Sequence, residues 1–175
     1  MIESMSNHHS SSRIFFTLPQ RILSGLIIYL SSSCALVTYA QGTSASPTAG
    51  ITTITLERSC FGCASSSLLV LHRSGLTSIT ETGNARHGTP GKISSGTISP
   101  VEFEHLARLA IASGFFALND TYEDPQIRDG AWSTTTITRN GQDKKVFRRE
   151  DAGPASLTAL EAGIDAAKAR IGFYP

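Results

Sequence analysis

The sequence predicts a single α+β domain, in which a mainly antiparallel sheet carries two helices packed on one face. Three observations support this fold class. Strand-like segments rich in β-branched residues occur first as a group of four and later as a pair. Helix-like segments follow the fourth and the sixth of these strands, with apolar residues spaced three and four apart. Because strands and helices do not alternate regularly, a parallel Rossmann-type sheet is not expected, and the predicted order is ββββ-α-ββ-α.

The first four predicted strands are separated by turn-like segments. Partial alternation of β-branched residues marks the first strand, and Ser74-Gly75 between the second and the third is typical of a hairpin. A segment with three glycines and a proline, residues 83–91, is expected to be a loop before the fourth strand. The four strands are predicted at residues 51–58, 68–72, 76–80 and 92–98.

A helix is predicted to begin at Pro100 and to end at Gly114. Ser99 can cap its first turn, Pro100 suits the first helical position, and Glu102 completes a capping box. The apolar residues of this segment recur on one face, which is expected to pack against the sheet. They are Val101, Leu106, Leu109 and Ala110, with Phe103 beside them.

The second half of the chain predicts an irregular acidic loop, a hairpin and a closing helix. The loop covers residues 118–130. Strands at 132–139 and 144–148 are joined by Asn140-Gly141, a strong hairpin turn because both residues tolerate positive φ. The closing helix is predicted at 154–171 from the spacing of its apolar residues, which are Leu157, Leu160, Ile164, Ala167 and Ile171.

Residues 1–40 are predicted to be a signal peptide with a polar N-terminal extension. Arg13 and Arg21 supply positive charge ahead of the apolar stretch 22–30, and Ala40 is a small residue at the expected cleavage position. The protein is therefore predicted to be periplasmic or secreted.

Two other interpretations of this segment remain open. Residues 22–40 are nearly long enough to span a bilayer, which takes about 20 apolar residues, and would then anchor the protein in the inner membrane. Four serines dilute this stretch. Cys34 could carry a lipid, although Ser31-Ser32-Ser33 is an unfavourable approach to a modified cysteine.

Cleavage after Ala40 would leave a neutral chain. It would remove two of the 15 basic residues and one of the 14 acidic residues, which leaves 13 of each. Neutrality argues against nucleic acid or an anionic membrane surface as the main partner. Membrane contact is then expected only through an uncleaved segment 22–40. Residues 41–50 have the composition of a flexible linker ahead of one domain at 51–172.

Cys60 and Cys63 remain as an even pair in the mature chain, because cleavage removes Cys34. An even count in an oxidising compartment favours a disulfide. Two thiols at this spacing could also form a redox pair, but a redox motif relies on a helix N-terminus that lowers the thiol pKa. Here Ala64 and three serines lead into a strand-like segment. A structural disulfide or inert thiols, a redox pair and half of a metal site remain the alternatives.

No metal or cofactor is predicted. A zinc site would need two further ligands, and His72, His87 and His105 form no second closely spaced pair. The acidic loop could bind calcium, but its spacing matches no EF-hand, and solvated surface charges are the simpler interpretation. The acidic residues concerned are Asp120, Glu123, Asp124 and Asp129.

A basic run lies on the last predicted strand. Alternation places Lys144 and Arg148 on one face with Val146, and Lys145 and Arg149 on the other face. This division weakens any phosphate-binding patch, and protection of an edge strand is the simpler explanation.

Common hydrolase motifs are not present in the sequence. It contains no G-x-S-x-G, no S-x-x-K and no H-E-x-x-H, and it has no phosphate-binding loop. A triad assembled from distant residues remains possible in principle, because such a site is defined by its geometry.

The sequence resembles an uncharacterised domain family of exported bacterial proteins. The family pattern is a strand, a Cys-x-Gly-x-Cys-Pro segment, a hairpin, a helix, a Thr-rich hairpin and a closing helix. The chain matches it over residues 51–172, through Cys60-Phe61-Gly62-Cys63 and through further segments. These are 54–58, 69–71 with Gly75, 98–99, 114–116, 134–137, 154–155 and 157–161. One residue is missing between Gly62 and Cys63, and Ala64 stands where the family has proline. The resemblance implies the layout and export. The family has no established activity to carry over, so the resemblance leaves the function open.

Together these observations favour a non-enzymatic envelope or secreted binding module, with a protein or small-molecule ligand in the cell envelope. The alternative is a thiol-disulfide or small hydrolytic enzyme centred on Cys60 and Cys63.

Overall fold

A computed structural model describes residues 46–175 of the chain. They form one seven-stranded sheet, with two helices and two short 3₁₀ turns, Ala85–His87 and Phe115–Ala117. The strands are β1 (Ile51–Cys60), β2 (Ser65–His72), β3 (Leu76–Gly83), β4 (Lys92–Thr97), β5 (Thr121–Tyr122), β6 (Ala131–Arg139) and β7 (Gln142–Arg149). The helices are α1 (Pro100–Ala112) and α2 (Ala155–Arg170).

The spatial order of the strands is β4-β3-β2-β1-β6-β7-β5. Every neighbouring pair is antiparallel except β5 and β7, which are parallel. The predicted fold class, a mainly antiparallel α+β domain, is confirmed, and so are the six predicted strands and two helices.

β5 is a correction to the sequence-based prediction, which assigned an irregular loop to residues 118–130. Thr121 and Tyr122 pair with Phe147 and Arg148, and the Phe147 amide donates to Asp120 O at 2.8 Å. Two residues are too few to show a strand period, so the pairing arises from the tertiary fold.

The core lies between the helices and one face of the sheet. Alternation turns the apolar residues of the strands toward the helices: Ile54, Leu56, Leu69, Leu71, Ile79, Ile137 and Val146. The helices meet them with Phe103, Leu106, Ala107 and Ala110 from α1, and with Leu157, Leu160, Ile164 and Ala167 from α2. The predicted helical spacings therefore identify the buried faces, with one correction. Val101, predicted to pack against the sheet, is 77% exposed in the first turn of α1.

The predicted cap of α1 and the predicted hairpin turn are also confirmed, but the Glu102 carboxylate accepts a hydrogen bond from Arg170 Nη2 instead of completing the capping box. Ser99 Oγ accepts a hydrogen bond from the Glu102 amide at 3.1 Å, and Pro100 is the first residue of α1. β6 and β7 meet at Asn140 and Gly141, whose φ angles are 54° and 77°. Such positive values are typical of the tight hairpin turn that these two residues favour.

The described part of the chain is anchored three residues before β1. Thr48 is fully buried, its hydroxyl hydrogen-bonds to the Glu104 carboxylate, and Arg73 Nη2 donates to Thr48 O at 2.6 Å. Residues 47–50 therefore form a fixed turn at the start of the sheet, within the segment predicted as linker. The rest of that linker, the predicted signal peptide and the alternative anchor at 22–40 lie outside residues 46–175.

Within residues 46–175, no helix has the length and apolar character needed to span a membrane.

Candidate functional site

The two cysteines lie where β1 turns into β2. Cys60 is the last residue of β1, and residues 61–64 connect it to Ser65, the first residue of β2. The Cα atoms of Cys60 and Cys63 are 5.3 Å apart and their sulfur atoms are paired as a disulfide. This Cα separation is within the range that a disulfide requires. The pair thus cross-links a hairpin turn.

The surroundings of the pair are strands and loops. Asn84 Nδ2 donates to Cys63 O at 2.9 Å, and the Phe61 amide donates to Gly130 O at 3.4 Å. β2 follows directly, so the turn holds no helix N-terminus to lower a thiol pKa. Phe61 is 80% exposed at the tip of the turn. The cross-link therefore presents an aromatic side chain to solvent.

The three histidines considered as metal ligands lie in different places. His72 is on β2, where its Nδ1 is 3.4 Å from Thr53 Oγ1. His87 belongs to the 3₁₀ turn after β3, and His105 is exposed on α1. Among residues 46–175, no three His, Cys, Asp or Glu side chains form a group that could hold a metal ion.

The acidic loop and the basic strand pair with each other. Lys144 Nζ lies 2.5 Å from Asp120 Oδ1 and donates to Leu118 O at 2.7 Å. Arg149 Nε lies 3.5 Å from Glu123 Oε2. These pairs are partly exposed, so each contributes at most about 1 kcal/mol to stability. Two of the four loop charges considered as calcium ligands, Asp120 and Glu123, therefore help to hold residues 118–130 against β7.

The predicted division of the basic run is confirmed. Val146 and Arg148 are buried on the helix side, whereas Lys145 is exposed on the other side. Arg148 differs from its basic neighbours because its guanidinium is buried beneath α2.

Arg148 belongs to a buried polar cluster around Glu161 of α2, which is only 1% exposed. The Glu161 carboxylate accepts hydrogen bonds from Arg148 Nε at 2.9 Å, Ser133 Oγ at 2.8 Å and Thr135 Oγ1 at 3.2 Å. Arg58 Nη2 lies 3.6 Å from the same carboxylate. A buried charge is tolerated when it is paired and hydrogen-bonded, and all four groups meet this need.

Arg58 extends the cluster to the surface, because its Nη2 also donates to Asp165 Oδ2 at 2.7 Å. The cluster therefore joins β1, β6 and β7 to α2 and fixes the helix on the sheet. Sequence reasoning missed it, although one signal was present. Glu161 lies four residues after Leu157 and three before Ile164, which places an acidic residue on the buried stripe of α2.

A second ionic cluster anchors the start of the domain. Arg73 Nη1 donates to Glu104 Oε2 at 3.0 Å, and Arg108 lies 3.7 Å from the other carboxylate oxygen. The hydrogen bond from Thr48, together with Arg73, holds the pKa of Glu104 below its ordinary value, although partial burial acts in the opposite direction.

The outer face of the sheet lies opposite the helices. Strand alternation places several large apolar side chains on it, grouped on β2, β3 and β4. Leu76 is 65% exposed, Ile93 is 67% exposed and Leu68 is partly exposed. Trp132 and Phe147 lie on the same face of β6 and β7, with ring centroids 6.0 Å apart. Threonines and serines occupy most of the positions between them. We call this surface the outer face.

The family model of a domain of unknown function (DUF6438) matches residues 52–168. Comparison with curated proteins gives no match.

Proposed function

The chain belongs to the family of the domain of unknown function DUF6438, and we propose that it is a non-enzymatic binding module of the cell envelope or of the secreted proteins. Its ligand would be a protein or a small molecule of the envelope.

The observation that carries the proposal is the apolar group on the outer face. Thr80 of β3 pairs with Leu68 on one side and with Ile93 on the other, so the exposed residues lie on three adjacent strands. Single exposed apolar residues are normal on a protein surface, but a group of them marks a contact surface. An antiparallel sheet covered on one face leaves the other free for such contacts.

The charged clusters give independent support. The inward-facing Arg58, Arg148 and Glu161 pair with one another and hold α2 in place. Asp120 and Glu123 pair with β7. These groups therefore have structural partners, and the outer face remains as the surface with the composition of a binding site.

The envelope location rests on the sequence of residues 1–40 and on the pairing of Cys60 with Cys63, which suits an oxidising compartment. Neutral charge of the mature chain disfavours nucleic acid as a partner. A membrane would be contacted only if residues 22–40 remained as an anchor.

Site-specific photocrosslinking tests the proposal. A photoreactive residue would replace Ser78, which lies outward on β3, in the full chain expressed in its native host. The matched control is Ala166, exposed on α2 on the opposite side of the domain. We expect one defined adduct from position 78 that is absent from position 166. Equal adducts from both positions, or none from position 78, would contradict the proposal.

The alternative is a thiol-disulfide or small hydrolytic enzyme centred on Cys60 and Cys63. The paired sulfurs favour it over other catalytic candidates, but the turn continues into β2 rather than into a helix. The enzyme would be established in place of a binding module if the purified chain turned over a substrate and lost this activity on substitution of a single residue.

A further inference from the structure

β4 is one of the two edge strands of the sheet, and the residues after α2 run along it. The Ser95 amide donates to Tyr174 O at 2.8 Å, and the Tyr174 amide donates to Ser95 O at 2.9 Å. These two bonds form an isolated antiparallel bridge. We call residues 171–175 the strap. The β4 edge therefore already accepts an extended segment through its backbone.

The strap is seated by side chains packed over Gly96. A Cβ atom added at Gly96 would lie 2.6 Å from Ile171 Cγ2 and 3.2 Å from Phe173 Cδ1. Real Cβ contacts are longer than the first of these distances. The strap can therefore pack this closely against β4 only because residue 96 has no side chain. Phe173 is partly buried and packs against the hydrophobic core on the helix side of the strand.

An unsatisfied polar group lies beside Gly96, where the strap packs. Thr77 Oγ1 is 3.0 Å from the same Cβ position, is buried, and has no hydrogen-bond partner among residues 46–175. Leaving a buried hydroxyl without a partner is unfavourable. The strap therefore occupies this site without satisfying every group in it.

The bridge covers only part of the edge. Alternate residues of a strand direct their backbone groups to the same side, so Ile93 and Thr97 face the edge as Ser95 does. Ile93 also carries one of the most exposed apolar side chains of the outer face. Edge groups of this kind are a template for pairing with another strand.

We propose that the β4 edge is a strand-accepting site, which takes an extended segment of a partner protein antiparallel to Ile93–Thr97 in place of the strap. The inference rests on the proposed binding function and names the partner as an extended polypeptide. Main-chain hydrogen bonds would supply affinity, and alternate side chains would supply selectivity. The favoured segment carries a large apolar residue over Gly96 and an apolar residue beside Ile93.

A second copy of the same edge fits this site less well. If two β4 strands paired about Ser95, the helix-side residues Ser94 and Gly96 would face each other. Neither has a large apolar side chain that could replace the packing of Ile171 and Phe173 over Gly96. The site is therefore better matched by a different segment with a large apolar residue.

The test uses a synthetic peptide of residues 169–175, Ala-Arg-Ile-Gly-Phe-Tyr-Pro, as the probe. It is titrated into the full chain and into its Phe173→Ala variant, whose strap is weakened. A matched control peptide carries an N-methyl group on the tyrosine amide, which removes the backbone donor and keeps every side chain. We expect about tenfold tighter binding by the variant, because the edge is then free for a larger fraction of the time, and no binding of the methylated peptide.

A readout on the unaltered chain covers the case in which Phe173→Ala disturbs the fold. Saturation with the unmethylated peptide should slow amide hydrogen exchange at Ile93 and Thr97. Equal binding of both peptides, or unchanged exchange at these amides, would overturn the proposal. A variant that dimerises with rising concentration and ignores the peptide would assign the edge to a second copy and overturn it too.

Failure of this proposal can be distinguished from failure of the binding function. A photoreactive residue at Thr97, on the edge, is compared with the one at Ser78 in the middle of the outer face. Adducts from position 97, together with the adduct from position 78 that the binding function predicts, support the strand-accepting edge. An adduct from position 78 alone would support the binding module and overturn the edge proposal. The absence of adducts from both positions would contradict both proposals.

Discussion

Glu161 accepts a hydrogen bond from Arg148 Nε at 2.9 Å where both side chains are buried beneath α2. The contact joins a helix to the seventh strand, between residues 13 positions apart in the chain. The two opposite charges are thus paired where water is largely excluded from both side chains.

The Glu161→Gln substitution should destabilise the domain strongly. It keeps the side-chain size but leaves Arg148 buried without its counter-charge, for which the expected loss is about 3–5 kcal/mol. The free energy of unfolding from urea titration measures it. Asp165→Asn is the matched control, because Asp165 pairs with Arg58 at the surface and should change stability by about 1 kcal/mol or less.

The double variant Glu161→Leu/Arg148→Met should lose less free energy of unfolding than the two single variants lose in total. The double variant removes both buried charges and leaves neither unpaired. Additive effects would mean that the two charges are not coupled in the folded protein.

Reduction or Cys60→Ser substitution should lower stability only modestly. In the chain-entropy model, a cross-link that closes so short a loop contributes about 2 kcal/mol. Intact mass before and after alkylation of the mature protein should show the pair oxidised. Reversible reduction at a measurable potential, with an unusually acidic thiol, would instead favour the redox alternative.

The stability contributed by Glu104 should depend on pH. The folded-state pKa of Glu104 is lowered chiefly by the Thr48 hydrogen bond; burial acts against this, and Arg73 and Arg108 lower the pKa further. A group with a depressed folded pKa stabilises above its unfolded pKa and loses that contribution as pH falls through the folded value. Glu104→Gln should therefore destabilise the chain at neutral pH, and the difference should shrink in acid. A difference that stayed constant with pH would contradict this.

Substitutions on the outer face should separate binding from stability. Leu76→Ser changes an exposed side chain, so unfolding should shift by about 0.5 kcal/mol or less, while crosslinking from position 78 should fall. Leu71→Ala is the control, because Leu71 is buried on the neighbouring strand β2. Its free energy of unfolding should fall by about 2–5 kcal/mol. Unchanged crosslinking by Leu76→Ser would place the contact elsewhere.

The mature protein should begin at Gln41 and be found in the periplasmic or secreted fraction. N-terminal sequencing and intact mass of the protein from its native host check this. A membrane-bound form that retains residues 22–40 would support the anchor, and an intact cytoplasmic form would contradict export.

Most of the fold could be predicted from the sequence because its signals are local. The strands show β-branched alternation, α1 has a capping serine and proline, and Asn140-Gly141 specifies a tight turn. Each of these depends on residues that are close in the chain.

The features that were missed depend on residues distant in the chain. β5 exists because Asp120 and Thr121 meet β7, and the Glu161 cluster forms because four elements converge. The strap reaches Ser95 from almost eighty positions away. No local period indicates such contacts, although the acidic residue within the buried stripe of α2 was a usable sign.

Thr48 and the cross-linked turn at Cys60 lie at opposite ends of β1. β1 starts beside Thr48 and ends at Cys60, and at about 3.3 Å per residue its length is about 30 Å. The chain therefore enters at one end of the sheet and presents Phe61 at the other.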